Sequence, residues 1–400
     1  MLFELILALL AGILAGTFTG LAPGIHINLI AAILLSSLSS LSSVPVLALA
    51  IFITSMSITH TFIDFIPSIF LGAPEEDTFL SILPGHEMLK EGLGYNAAII
   101  TLYGSLIAIP IFLFFTPFFI IFLPSLFTIL KNFIPFILIL LSSYLILREK
   151  EYILSFSVFL LAGFLGFFTF QLPVKEPLLP LLSGLFGLSS LIISLKEKQQ
   201  IKKQKISPLK KIKLTKKEFL KSFLAAGISA PLCSFLPGIG SGHAATLGSE
   251  FIPQSRKGFL LLIGSINTII MSLSFVTLYA INKTRSGSAV AIKEILKEIT
   301  LAHLTIIIIA SLLAGIIAFF IGIKISKLFA LYINRINYSK LTLLVIVILI
   351  IINLLFSNWL GLIVLITATS LGIYTILSNS RRINLMGSLI IPAIIFYLIN

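Results

Sequence analysis

His60 and Asp64 stand four residues apart inside the apolar run 44–70. A helix over this run puts both on one face, where an imidazole and a carboxylate within a membrane can pass a proton or hold a driving cation. The plainer reading is that Asp64 satisfies His60 within a helix bundle, or that both sit near the interface. Metal-assisted hydrolysis inside the membrane would draw on similar residues, but the sequence shows no evident third ligand or base. No metal site is expected.

Two Pro-Gly elements carry a second kind of chemistry. Pro23-Gly24-Ile25-His26-Ile27-Asn28 and Pro237-Gly238-Ile239-Gly240-Ser241-Gly242-His243 both fall within apolar sequence. Proline and glycine interrupt helices there, which frees backbone groups that are costly against lipid but useful around a cavity. A helix N-terminus at such a break presents N–H donors and a partial positive charge, suited to a carboxylate or a phosphate. Pro23, Gly24, His26 and Asn28, with Pro237, Gly238, Ser241, Gly242 and His243, are the candidate substrate residues; helix kinks with tight packing are the alternative. A second pair of breaks supplies candidate walls: Ser68, Gly72, Ala73 and Pro74 in one half, Ser286, Gly287 and Ser288 in the other. Ordinary interfacial turns would look similar. Glu75, Glu76 and Asp77 read as a solvated loop or a cation site, and Lys283 and Arg285 as attractors of an anion or as snorkelling interfacial cations.

These residues need a membrane scaffold to position them. Of 400 residues, 58% are hydrophobic and 11% charged, with mean hydropathy +1.13, whereas soluble domains carry about 25% charged residues. Apolar runs long enough to cross a bilayer recur along the chain. They occupy 2–20, 26–41, 44–70, 95–123, 125–147, 152–170 and 177–195, then 218–236, 239–251, 258–282, 299–322, 340–356, 358–378 and 383–399. The N-terminus has Glu4 but no early Lys or Arg, so it reads as a first membrane segment and not as a signal peptide. The fold class is all-α polytopic membrane protein.

The net charge of +13 is explained by membrane topology without nucleic acid. Residues 196–217 hold ten lysines against Glu197 and read as a basic cytoplasmic linker between repeats 1–195 and 218–400. With that linker inside the cell membrane, the basic stretches at 148–151, 324–340 and 380–382 also fall inside, while 171–176 and Lys131 fall outside. The one cysteine, Cys233, excludes an intrachain disulfide.

The two halves echo each other in local sequence. Leu21-Ala22-Pro23-Gly24-Ile25 recurs as Phe235-Leu236-Pro237-Gly238-Ile239, Met56-Ser57-Ile58-Thr59 as Met271-Ser272-Leu273-Ser274, and Gly72-Ala73 as Gly287-Ser288, in the same order and with nearly constant spacing. If each half is a Pro-Gly-broken hairpin plus about five transmembrane helices, its crossings are odd in number and the repeats are inverted. Re-entrant and fully spanning hairpins both satisfy that parity. Inverted repeats with broken segments point to alternating access.

The run Phe65–Ser105, with Pro67-Ser68-Ile69-Phe70-Leu71-Gly72-Ala73-Pro74, Leu83-Pro84-Gly85-His86-Glu87-Met88, Lys90-Glu91-Gly92 and Gly94-Tyr95-Asn96-Ala97-Ala98, resembles the large membrane subunit of the tripartite tricarboxylate transporters, the TctA family. Gly16-Thr17-Phe18-Thr19-Gly20-Leu21-Ala22-Pro23-Gly24 is similar to that family's opening glycine-rich motif. The resemblance covers about the first 110 residues and the surroundings of Pro237. It implies an ion-coupled carboxylate permease that takes substrate from an extracytoplasmic solute-binding protein and works with a small membrane subunit.

The leading expectation is a secondary permease for a small organic anion, a carboxylate, driven by Na⁺ or H⁺ and needing no other cofactor. A polyprenyl-phosphate translocase is the alternative, because paired Pro-Gly hairpins can also hold a phosphate head. An intramembrane hydrolase using His60 and Asp64 follows behind both, and no P-loop or Ser-His-Asp constellation is present.

Overall fold

Small residues at fourfold spacing decide how closely the first helices approach. In the computed structural model, Gly12, Gly16 and Gly20 of α1 (Leu2–Leu21) lie on α3 (Val46–Ile63). A Cβ on Gly16 would overlap the Met56 carbonyl oxygen, and one on Gly20 would come within 2.9 Å of the Ile63 Cβ. This is the small-residue packing that lets membrane helices gain dispersion contact without a hydrophobic driving force. The structure describes residues 2–22, 27–36, 44–72, 78, 80, 82–196, 202–212, 214–335 and 337–399.

The first half continues with α2 (Ile27–Ser36), α4 (Phe65–Leu71, extending α3), the short α5 (Ile82–Lys90) and the long α6 (Gly94–Leu130). After a 3₁₀ turn at Lys131–Phe133 come α7 (Ile134–Leu147), α8 (Tyr152–Gln171), α9 (Leu178–Leu182), a π-helical stretch Ser183–Leu188 and α10 (Ser189–Lys196). The second half holds α11 (Lys216–Cys233), α12 (Ser241–Phe251), α13 (Arg256–Ile281), α14 (Gly287–Leu296), α15 (Leu301–Tyr332), α16 (Tyr338–Leu377) and α17 (Gly387–Ile399). Among the described residues, nine helical stretches are long and apolar enough to cross a membrane. The chain is an all-helical, multi-pass membrane protein.

The helix boundaries differ from the hydropathy reading at informative places. α6 runs through Pro110, Pro117 and Pro124 without ending, so the expected break at 124 falls at Lys131 instead. The expected break near 357 is real: within α16, Asn358 takes φ 60°, and its side chain accepts from Leu360 N at 3.0 Å to restart the helix. Residues 82–90 and 287–296, read as gaps between segments, form α5 and α14.

Polar contacts sort the helix ends. The linker docks on the α5–α6 turn: Gln204 Oε1 accepts from Gly94 N at 2.8 Å, its amide nitrogen donates to Leu89 O at 3.0 Å, and Lys205 N donates to Gly92 O. Arg256, first residue of α13, holds Glu91 through two bonds of 2.7 Å. Ser255 donates to Glu218 at the start of α11. Arg148 meets Glu250 at 2.9 Å, and Arg381 meets Glu149 at 3.2 Å and Glu250 at 3.4 Å. These contacts gather at one end of the bundle, termed here the linker end, the starts of α6, α8, α11 and α13 and the ends of α12 and α16. Phe70 packs against Phe329 with tilted rings whose centroids are 5.6 Å apart, and a Cβ on Gly94 would stand 3.3 Å from the Phe70 ring, which brings the ends of α4 and α15 there too. At the opposite end, Ser357 donates to Glu176 O and Asn358 to Pro173 O.

The centre of the bundle is the crossing of α6 on α13. A Cβ on Gly104 would stand 2.9 Å from Ser265 N, and one on Gly264 would overlap Thr101 O. The backbones therefore touch, and Ser105 and Ser265 donate across the seam to Gly264 O at 3.2 Å and Gly104 O at 3.0 Å.

Candidate functional site

Along α13, Arg256 and Phe259 line a cavity of about 1040 Å³ at the linker end, while Ile270, Met271, Ser274 and Thr277 line a second of about 780 Å³ at the opposite end. Both volumes suit small-molecule sites, which run to about 300–1,000 Å³. Phe259 and Ile270 are separated by about 16 Å of helix at 1.5 Å per residue, and this intervening stretch carries the buried polar side chains Ser265, Asn267 and Thr268.

Asn267 Nδ2 donates to Asp64 Oδ2 at 2.8 Å, and Thr268 meets Thr61 hydroxyl to hydroxyl at 3.1 Å. His60 Nδ1 lies 3.0 Å from Thr19 Oγ1 on α1. His60 and Asp64 are 2% and 4% exposed, which places both in the bundle interior. They share a helix face as their spacing requires, yet each engages a different neighbouring helix. A carboxylate buried to this degree needs hydrogen-bond donors to remain charged, and Asn267 supplies one.

The second Pro-Gly element sits at the tip of the α11–α12 hairpin. Gly238 takes φ +71°, a left-handed conformation that glycine adopts without a Cβ penalty. Pro237, Gly238 and Ser286 line the opposite-end cavity. Gly240 caps α12, whose first turn buries Ser241, Gly242 and His243. The guanidinium of Arg285, read as an anion attractor or a snorkelling cation, donates to Leu236 O at 2.6 Å and also to Cys233 O and Ile239 O. It thereby satisfies the last carbonyl of α11, at Cys233, and two carbonyls of the hairpin tip.

The remaining candidates divide between the halves. Ser286 caps α14, accepting from Ala289 N at 3.2 Å, and its hydroxyl stands 3.2 Å from that of Ser274. Gly287 opens that helix, and Ser288 meets Ser57 of α3 at 2.6 Å. Ser68 pairs with Thr78 at 2.6 Å, and Gly72 ends α4 in the left-handed region and lines the linker-end cavity. Pro23, Gly24, His26, Ala73, Pro74 and Glu75–Asp77 lie outside the described residues, as does the side chain of Asn28. Sequence reasoning passed over Asn267, Thr268, Thr61 and Ser105; an amide in the middle of an apolar helix is the signal that would have found the first. It also passed over the linker-end cavity's cations Lys90, Arg256, Arg381 and Arg382, which share that wall with Glu87 and Glu250.

The family model described as "Tripartite tricarboxylate transporter TctA family" matches residues 6–387. A protein of Methanocaldococcus jannaschii, described as "Uncharacterized protein MJ1079", is 32% identical over 408 residues, covering 98% of this chain and 99% of that protein. No solved structure matches the chain. With the match spanning nearly its whole length, this chain belongs to the tripartite tricarboxylate transporter TctA family.

Proposed function

We propose that the chain is a secondary permease for a small organic anion, a carboxylate, that works by alternating access between two inverted repeats, 1–195 and 218–400. The observation that carries this reading is that one helix, α13, lines cavities at both ends of the bundle while its middle is held by the Asp64–Asn267 and Thr61–Thr268 bonds. A permease needs such an arrangement: two vestibules and a polar barrier that can yield to a bound ion.

Helix directions support the inversion. α1, α3 and α10 run toward the linker end, whereas their counterparts α11, α13 and α17 run away from it. α6 and α8 run away, and their counterparts α15 and the second arm of α16 run toward it. The packing is exchanged in the same sense, α6 lying on α13 and α15 on α3. The linker belongs on the cytoplasmic side of the cell membrane, since lysine-rich segments are retained there.

In this reading His60 and Asp64 take the coupling Na⁺ or H⁺. Pro237, Gly238, Ser241, Gly242, His243 and Ser286–Ser288 form one substrate wall, and Pro23, Gly24, His26, Asn28, Ser68, Gly72, Ala73 and Pro74 its counterpart. The family's tripartite name supports a small membrane subunit and an extracytoplasmic solute-binding protein as partners. The test is thermal stabilisation of the purified protein by di- and tricarboxylates, with and without Na⁺ and across pH. Ligand at a hundred times its Kd stabilises by about 2.7 kcal/mol, so a carboxylate that binds raises the melting temperature, and the coupling ion raises it further. No response to any carboxylate contradicts the reading.

A further inference from the structure

The opposite-end cavity has two kinds of wall. Its floor is polar, with Gly238, Ser274, Thr277, Lys283, Arg285 and Ser286. Thr277 is 1% exposed and its Oγ1 has no hydrogen-bond partner, unlike Ser274, which donates to Met271 O at 2.7 Å. Buried polar atoms in folded proteins are nearly always satisfied, so the unpartnered hydroxyl of Thr277, a lining residue, marks where a ligand's polar group belongs.

Six aromatic rings stand among the aliphatic residues of the remaining lining: Phe127, Phe167, Phe170, Phe235, Phe396 and Tyr397. Phe170 lies in the last turn of α8 and Phe396 in the last turn of α17, helices that pack backbone to backbone where Gly166 meets Ser388 and both line the cavity beyond that contact. Phe170 and Phe396 are 42% and 60% exposed on stretches apolar enough to span a membrane. The aromatic wall thus continues onto the surface that faces lipid. A site for a freely soluble tricarboxylate gains nothing from such a wall, because its ligand has no apolar part to bury.

We infer that this cavity receives an anionic amphiphile from the bilayer, its phosphate or carboxylate head on the polar floor and its apolar chain along the aromatic wall between α8 and α17. The inference rests on the anion part of the permease reading and departs from its small-carboxylate part. The chain contributes by burial of apolar area, and the head by charge complementarity with Lys283 and the fixed guanidinium of Arg285.

The experiment titrates the full-length detergent-solubilised protein with farnesyl phosphate, farnesol, inorganic phosphate and citrate, reading bound ligand by native mass spectrometry. Farnesyl phosphate should bind tighter than each of the other three by about tenfold or more, the equivalent of 1.4 kcal/mol. Phe396→Ala and Lys283→Gln, both at exposed positions and so expected to fold, should each weaken it by about tenfold. Citrate binding without farnesyl phosphate binding, equal affinity for farnesol, or indifference to both substitutions overturns the amphiphile while leaving the permease reading intact. Silence toward every anion removes both.

Discussion

Replacing Asn267 by alanine is the perturbation whose cost follows most directly from the structure. Its amide nitrogen donates at 2.8 Å to an Asp64 carboxylate that is 4% exposed. A hydrogen bond to a charged acceptor contributes about 1.5–3 kcal/mol, and removing the donor leaves the carboxylate with less compensation for its burial. Asn267→Ala should therefore destabilise the protein by about 1.5–3 kcal/mol. Asp64→Asn keeps the shape of the pair but makes it neutral, at roughly half the strength. In a double-mutant cycle with Asp64→Ala, the two substitutions should cost less together than the sum of their separate costs, by about 1 kcal/mol or more. Reversible unfolding in mixed micelles, followed by circular dichroism, reads all four corners. Additivity to within about 0.5 kcal/mol would refute the reasoning, because independent sites behave that way.

Gly264→Ala would place a Cβ onto Thr101 O and 3.0 Å from the Thr101 carbonyl carbon; overpacking of this kind costs about 1–3 kcal/mol, read as a lower melting temperature. Gln204→Ala removes the linker group that caps α6 at Gly94, and a lost cap costs about 0.5–2 kcal/mol, with faster proteolysis of 202–212 as a second readout. Burial pushes the Glu149 carboxyl above the usual carboxylate range, opposed by Arg381 and reinforced by Glu250. The folded state then holds that proton more tightly than the unfolded state. Its contribution to stability is complete below the unfolded value of about 4.3 and is lost as pH rises through the folded value. Glu149→Gln should flatten that fall; a melting profile with unchanged pH dependence would contradict it.

Much of the fold was legible because its signals are local. Pro237-Gly238 announces a helix break by the chemistry of proline and glycine themselves. The same logic misread Pro124, since a long membrane helix can carry a proline through its interior at the loss of one backbone donor, the one that would have served the Ile120 carbonyl. α5 and α14 were missed because short amphipathic helices lack a long apolar run. The candidate site was legible in type but not in partnership. His60 and Asp64 share a face, as their spacing says, but nothing local names Thr19 or Asn267, which lie 41 and 203 residues away in the chain. Arg285 is the same case: only the folded hairpin tip shows that its guanidinium is committed to backbone carbonyls.

The central claim is that this chain moves an organic anion against a gradient, using an ion gradient sensed through Asp64. The most direct test is uptake of labelled di- and tricarboxylates into proteoliposomes under an imposed Na⁺ or proton gradient, comparing wild type with Asp64→Asn. The account predicts accumulation above the equilibrium level in the wild type, collapse of that accumulation when the gradient is dissipated, and no accumulation in Asp64→Asn even though it still binds substrate. Uptake no greater than in protein-free liposomes for every anion, or undiminished accumulation by Asp64→Asn, would contradict it.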